Sequence, residues 1–160
     1  MSREDLIREL VLEIRSSQNE TDAVDQAAAD YMGINRTDLR CLDILDRSGK
    51  PITAGALADH SGLTTGAVTT VIDRLERAGL AQRLPDPGDR RRVLVEPTPE
   101  AVRLARQLYG GLADESKPLF DHYSDDELRL LIGFMRAGRE MSRRQADRIR
   151  ALAPRERAPG

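Results

Sequence analysis

The sequence is poor in the residues that site chemistry most often needs. Its 160 residues include one cysteine (Cys41), two histidines (His60 and His122), no tryptophan, three tyrosines and two phenylalanines. A single thiol excludes an internal disulfide and denies a structural zinc its usual thiolates. Two isolated histidines supply no ligand set either, so neither a metal nor a cofactor is expected. Five aromatics are too few for the stacking platforms that hold RNA or single-stranded nucleic acid. Catalytic constellations are missing too: there is no paired Ser/His/Asp spacing and no glycine-rich phosphate loop, so an enzyme is not expected. His60 beside Asp59 reads as a solvated pair at a helix end. No apolar run approaches the roughly 20 residues that cross a bilayer, so no membrane partner is expected. The opening Met1-Ser2-Arg3-Glu4-Asp5 is acidic where an export signal needs a basic start and an apolar run, which points to the cytoplasm.

The chain is 39% hydrophobic and 32% charged, a globular composition. Its formal net charge of −2 says little, but the distribution says more. Residues 1–60 carry seven basic and twelve acidic side chains, residues 61–97 six and five, and residues 98–160 twelve and ten. The sharpest basic concentration is Arg90-Arg91-Arg92. A local cluster of this kind can grip phosphate whatever the overall charge.

Hydrophobic periodicity marks helix along most of the chain. A long first helix from about Glu4 to Met32 ends at Gly33. Asn35 caps a second, with Leu39, Leu42 and Leu45 on one face. Thr53 caps a short third, closed by Ser61-Gly62, and a fourth runs from about Thr64 to Ala78 with Gly79 as its left-handed stop. Leu80–Leu84 and Arg92–Glu96 are short β-capable runs around a Pro/Gly/Asp turn, which predicts a hairpin. Thr98-Pro99-Glu100 opens a fifth helix, predicted to carry Val102, Leu104, Ala105, Leu108 and Leu112. Ser124-Asp125-Asp126-Glu127 is a capping box for a sixth, with Leu128, Leu131, Ile132 and Met135 facing inward.

Between Thr53 and Leu75 each position answers a steric demand. Two helices that cross steeply need a small residue at the crossing, and Ala58 supplies it. The tight turn needs a residue tolerant of positive φ, and Gly62 supplies it. Leu57, Leu63, Val68, Val71 and Leu75 then form a shared core. This is the pattern of a helix-turn-helix, and the hairpin that follows makes it a winged one. The fold class is therefore mainly α with a small β-hairpin wing, a winged helix-turn-helix flanked by N- and C-terminal dimerisation helices. The expected divisions are residues 1–34 for the N-terminal dimerisation helix and 35–97 for the winged lobe. Residues 98–153 are the C-terminal dimerisation helices, and 154–160 a flexible tail. The outer helices are too amphipathic to stand alone, and the simplest partner is another copy of the chain.

On the fourth helix Val68, Val71, Ile72 and Leu75 share one face. Gly66, Thr69, Thr70, Asp73, Arg74 and Arg77 lie opposite, with Thr64 and Thr65 in the first turn. Short hydroxyl side chains at a helix N-terminus suit insertion deep into a major groove of double-stranded DNA. No Asn, Gln, Lys or Arg precedes Arg74 on that helix, so more of the discrimination falls to DNA shape. Arg90, Arg91 and Arg92 sit on the wing turn, where arginine suits the negative potential of a narrow minor groove. Asp89 among them is expected to be a structural partner for an arginine, either Arg74 or one on the wing.

These motifs resemble the MarR family of bacterial transcriptional regulators. The resemblance rests on Leu57-Ala58-Asp59, Gly62-Leu63, Val71-Ile72-Asp73-Arg74-Leu75-Glu76-Arg77-Ala78-Gly79-Leu80 and Asp86-Pro87-Gly88-Asp89-Arg90-Arg91, and is strongest over residues 39–98. It implies a recognition helix at the fourth helix, a wing-tip acid–arginine pair at Asp89 and Arg90, and a homodimer built by the first, fifth and sixth helices. It also implies a repressor on a pseudo-palindromic operator, released by a small aromatic or phenolic effector in a cleft between the dimer helices and the reading lobe. Tyr31, Arg36, Arg40 and Tyr109 fall near helix junctions, where they line either such a cleft or the subunit interface. A winged helix used only for protein contact is the alternative, but it would not need three arginines on a turn. Cys41, amid Leu39, Leu42 and Leu45, reads as core rather than as a redox sensor, because a reactive thiol needs an exposed, electropositive setting.

Overall fold

The structure is a computed structural model, and it describes residues 1–152 except Arg90. The tail expected at residues 154–160 lies outside the described residues. The chain divides into two compact units that meet at Gly110 and Gly111. The first unit holds α1 (Arg3–Met32), α2 (Arg36–Arg47), β1 (Ile52–Thr53), α3 (Ala54–Ser61) and α4 (Thr65–Arg77). These are followed by β2 (Ala81–Pro85), β3 (Val93–Pro97) and α5 (Pro99–Tyr109). The second unit holds α6 (Leu112–Phe120) and α7 (Asp125–Arg150).

Helix starts are fixed by side chains that accept from backbone N–H groups three residues on. Asn35 accepts from Asp38, Thr53 from Ala56, Thr64 from Ala67 and Thr98 from Ala101. Each satisfies a donor that the first helical turn leaves without an internal partner. Ser2 with Asp5 and Ser124 with Glu127 form full capping boxes at α1 and α7. The turn between α3 and α4 depends on Gly62, whose φ of 71° lies in the left-handed region. A Cβ there costs about 1–2 kcal/mol. Gly62→Ala should therefore lower the unfolding free energy by about that much, read from the urea midpoint.

The three strands form an antiparallel sheet of order β1-β3-β2. Ile52 and Arg83 both stand opposite Val95, and Pro85 opposite Val93 marks the end of the hairpin ladder. At its base, Thr98 donates its hydroxyl to the Gly79 carbonyl (2.7 Å) and its N–H to Leu80 O (3.0 Å). The hairpin is thereby stitched to the residues that leave α4.

The core of the first unit lies under α4. Leu42, Leu45, Leu57, Val68, Val71, Ile72, Leu75, Leu80 and Val95 are buried together, with Cys41 among them. Each such side chain contributes about 1.5–3 kcal/mol of transfer free energy. A smaller cluster of Ala28, Ala29 and Leu39 sits against Leu108 and Tyr109, joining α1, α2 and α5.

The structure departs from expectation at three elements. Leu112 begins α6 instead of continuing α5, because Gly110-Gly111 ends the preceding helix. β1 is not visible in the sequence, since two residues are too few to show a strand period. The positions expected to face inward on the last helix, Leu128, Leu131, Ile132 and Met135, are not buried, because the described residues of the second unit supply nothing of their own to cover them. Among the described residues α7 has none buried, and Leu130, Leu131, Ile132, Phe134 and Met135 are all exposed. On α1, Leu6, Ile7, Leu10 and Val11 are likewise about half exposed.

Candidate nucleic-acid interface

The outward face of α4 is made of small and hydroxyl-bearing side chains. Thr65, Gly66, Ala67, Thr69 and Thr70 are exposed along its first turns, while Val68, Val71, Ile72 and Leu75 are buried beneath. Thr64 itself is the N-cap. The Thr69 hydroxyl donates to Thr65 O (3.0 Å) and that of Thr70 to Gly66 O (3.1 Å). With their protons turned back into the helix, these hydroxyls face a ligand as acceptors, each beside a methyl group. That chemistry fits exocyclic amines of adenine or cytosine and the methyl of thymine in a major groove. Gly66 adds no bulk, and a Cβ there would meet nothing within 4 Å, so the close approach is open rather than forced.

The charged half of α4 is organised differently from the sequence expectation. Arg74 does not pair with Asp89. It forms a bidentate ion pair with Asp38 of α2, Nε to Oδ2 at 2.8 Å and Nη2 to Oδ1 at 2.5 Å. Asp38 is 2% exposed, and Asn35 Nδ2 also donates to it. Arg74 is 35% exposed, and its pKa is raised first by the hydrogen bond to Asp38. Two of its donors are thus committed to holding α4 against α2, which makes it an anchor of the helix before it is a reader of bases. Arg77, farther along the helix, is exposed and donates from Nε to Asp73 O (3.2 Å).

Asp89 has a structural role on the wing through the backbone. Its carboxylate accepts from the Arg91 N–H (3.0 Å), and its carbonyl accepts from the Arg92 N–H (2.9 Å). Asp86 acts in the same way, taking the Gly88 N–H at 2.8 Å. A carboxylate placed two residues before an N–H closes an Asx-turn, so the two acids shape the wing tip. Arg91 and Arg92 are exposed on it, and Arg92 Nε stands 3.8 Å from Asp86. Arg90 lies outside the described residues.

Arg83 and Asp38 carry roles that sequence reasoning missed. Arg83 of β2 spans two acids of α4, donating from Nη2 to Asp73 Oδ1 (2.7 Å) and from Nη1 to Glu76 Oε2. Its backbone N–H also donates to Glu76 Oε1 (3.0 Å). Only the i, i+3 spacing of Asp73 and Glu76 hinted at a shared partner.

Of the four residues placed near an effector cleft, Tyr31 and Arg36 have separate hydrogen-bond and ion-pair partners. The exposed Tyr31 hydroxyl accepts from Gln107 Nε2 (2.9 Å), and Arg36 pairs with Asp22. Arg40 is exposed on α2. Tyr109 is half-buried in the small cluster, its pKa raised first by burial and then by Asp25 and Asp43. A pocket of about 540 Å³ does open beside α4, and of the four only Arg36 lines it. Its walls are Gln26, Asn35 and Thr37 on one side and Leu63, Ala67, Thr70, Val71 and Arg74 on the other. Cys41 is fully buried, with its thiol pKa raised by burial, as a core cysteine should be.

The arrangement is that of a reading head: an exposed small-residue helix, a projecting turn with arginines, and a sheet joining them. Comparison with known proteins gives it a family. The MarR family model matches residues 34–93, the stretch from the cap of α2 to the start of β3. The chain is 36% identical over 149 residues to the uncharacterised HTH-type transcriptional regulator YcgE of Bacillus subtilis, covering 93% of this chain and 96% of that one. The chain belongs to the MarR family. Among solved structures, a mutant of Escherichia coli MarR complexed with operator DNA superposes with a TM-score of 0.57. Its identity is 24%, and the match covers 86% of this chain and 98% of that one. NadR in complex with 4-hydroxyphenylacetate gives 0.60 at 19% identity, over 79% and 89% of the two chains. Both share the fold. As a MarR-family protein the chain is a DNA-binding transcriptional regulator, which sets aside the reading of a winged helix used only for protein contact.

Proposed function

We propose that this MarR-family protein works as a homodimeric repressor in the cytoplasm. It would place two copies of α4 in successive major grooves and two wings in the flanking minor grooves. The observation that carries this reading is the exposed face of Thr65, Gly66, Thr69 and Thr70 in the same compact unit as the exposed Arg91 and Arg92. Thr64, Arg77 and Arg90 complete the proposed contact set. Arg74 is assigned there to orienting the helix. Support for the dimer is the uncovered apolar length of α1 and α7, which in water needs a partner of matching chemistry. Two-fold symmetry then requires a pseudo-palindromic operator with half-sites about one helical turn, roughly 10 base pairs, apart.

The pocket beside α4 supports effector control. It adjoins Thr70 on the reading face and the Arg74 anchor, so a small ligand seated there would compete with the contacts that hold α4 in place. An aromatic or phenolic acid suits its mixture of apolar wall and guanidinium.

An anisotropy titration on the duplex upstream of the protein's own gene, against a scrambled duplex and across salt, tests the main reading. The expected outcome is a preference of at least about a thousandfold for one duplex. Affinity should fall steeply with salt as phosphate contacts release counterions. Equal affinity for both duplexes at every salt would overturn it. Sedimentation should give twice the 17.8 kDa chain mass.

A further inference from the structure

We infer that Arg83 is a positioning residue for operator binding, clamping the wing to the recognition helix so that both reach the same stretch of DNA. The inference rests on the DNA-binding reading and adds a residue that makes no contact with DNA in it. Arg83 lies on the first wing strand, only a few residues beyond the last turn of α4. Its guanidinium bridges one turn of that helix, reaching Asp73 at 2.7 Å and also Glu76, and Glu76 returns to take the Arg83 N–H at 3.0 Å. Side chain and backbone of one strand residue are therefore both tied to one helix. In register, Arg83 stands opposite Val95, which is buried, so the clamp also fixes where β3 and the wing tip lie.

Geometry makes this position a lever. The wing tip lies about four or five residues beyond Arg83, roughly 15 Å of extended strand. A rotation of about 10° at the clamp would move the tip by about 2.5 Å, far more than a hydrogen bond tolerates. A guanidinium is suited to the task because its planar fork engages two carboxylates at fixed angles, which an ammonium does not. Arg83 is 32% exposed and Glu76 31%, so the Glu76 half of the clamp is shielded in part from solvent and salt, while Asp73 is 51% exposed.

Neutralisation of Asp73 and Glu76 is a second consequence of the same contacts, and the test separates it from positioning. The probe is the duplex bound best by the parent dimer in a selection from random DNA. Arg83→Gln should weaken binding at least about fiftyfold, most of what the wing contributes, while the dimer's mass and melting cooperativity stay unchanged. The cost of removing both wing arginines (Arg90→Ala with Arg91→Ala) should be large in the parent and shrink to less than about twofold in the Arg83→Gln background. A wing already out of register has nothing further to contribute. Arg83→Lys should restore only part of the affinity, and adding Asp73→Asn with Glu76→Gln to Arg83→Gln should restore none.

Full additivity between Arg83→Gln and the wing variant would overturn the inference. So would recovery of affinity on adding Asp73→Asn and Glu76→Gln, which would reduce Arg83 to a neutralising charge. If removing the wing arginines costs the parent nothing, the clamp and the wing assignment fall together. Should Arg83→Gln fail to fold, Glu76→Ala removes two of the three bonds and must show the same drop in coupling. A parent that prefers no duplex would instead overturn the DNA-binding reading itself.

Discussion

Replacing Arg90 and Arg91 together with alanine is expected to weaken operator binding by about a hundredfold or more while leaving a folded dimer. A charge-assisted hydrogen bond contributes about 1.5–3 kcal/mol, and each subunit of a dimer brings two such arginines. The fold survives because the wing turn is shaped by Asp86, by Asp89 and by backbone bonds between Asp86, Asp89 and Arg92, none of which needs an arginine side chain. The salt dependence reports the mechanism. For each phosphate that the variant no longer neutralises, the slope of log affinity against log salt should become shallower by about 0.9. Anisotropy titrations at several salt concentrations measure both quantities. Unchanged affinity in the double variant would show that the wing does not touch DNA.

Arg74→Ala is expected to be strongly destabilising, comparable with truncating a buried leucine of the same lobe. It would leave the Asp38 carboxylate, 2% exposed, with Asn35 as its remaining side-chain donor among the described residues. Removing one partner of a fully buried ion pair costs about 3–5 kcal/mol, and screening of the 35% exposed Arg74 brings the expected loss to the lower end of that range. Asp38→Ala should cost less, about 1–3 kcal/mol, because Arg74 is 35% exposed and can turn its charge to water. Substituting both with leucine should recover much of the stability, as an apolar pair of similar bulk needs no partner. Urea unfolding followed by circular dichroism checks the order. If Asp38→Ala proves the more damaging of the two, the pair is not stabilised in the way its burial implies.

What the sequence made legible was local. Asn35, Thr53, Thr64, Thr98 and Ser124 each announce a helix start, because a cap and its donor lie three residues apart. The buried face of α4 follows from its period, and Val68, Val71, Ile72 and Leu75 are all buried. What escaped was non-local. Asp38 looks like an ordinary first-turn acid, since nothing in the sequence links it to an arginine 36 positions away. Arg83 looks like any polar residue on a short strand, and its role appears only when β2 folds back along α4. Asp89 suggests an arginine's partner when its charge alone is weighed, and only its turn geometry shows that it also takes a backbone N–H. The Gly110-Gly111 break is masked in the sequence because the apolar spacing runs on to Leu112. Side-chain chemistry thus marked the helix-turn-helix, and tertiary packing decided which charges are spent on internal pairs.

The uncovered length of α7 also sets how the protein responds to its own concentration. A helix that buries no residue within its own chain draws its stability from whatever covers it, so unfolding and dissociation become one step. The melting temperature should then climb as the solution is made more concentrated. In a cell, newly made chains without a mate would present Leu130, Leu131 and Phe134 to proteases, and the pool of regulator would be pruned of unmated copies. A defective allele whose α7 still pairs would escape that pruning. It would occupy one half of each mixed dimer and silence an intact reading head, so damage to the wing should be dominant while damage to α7 should be recessive.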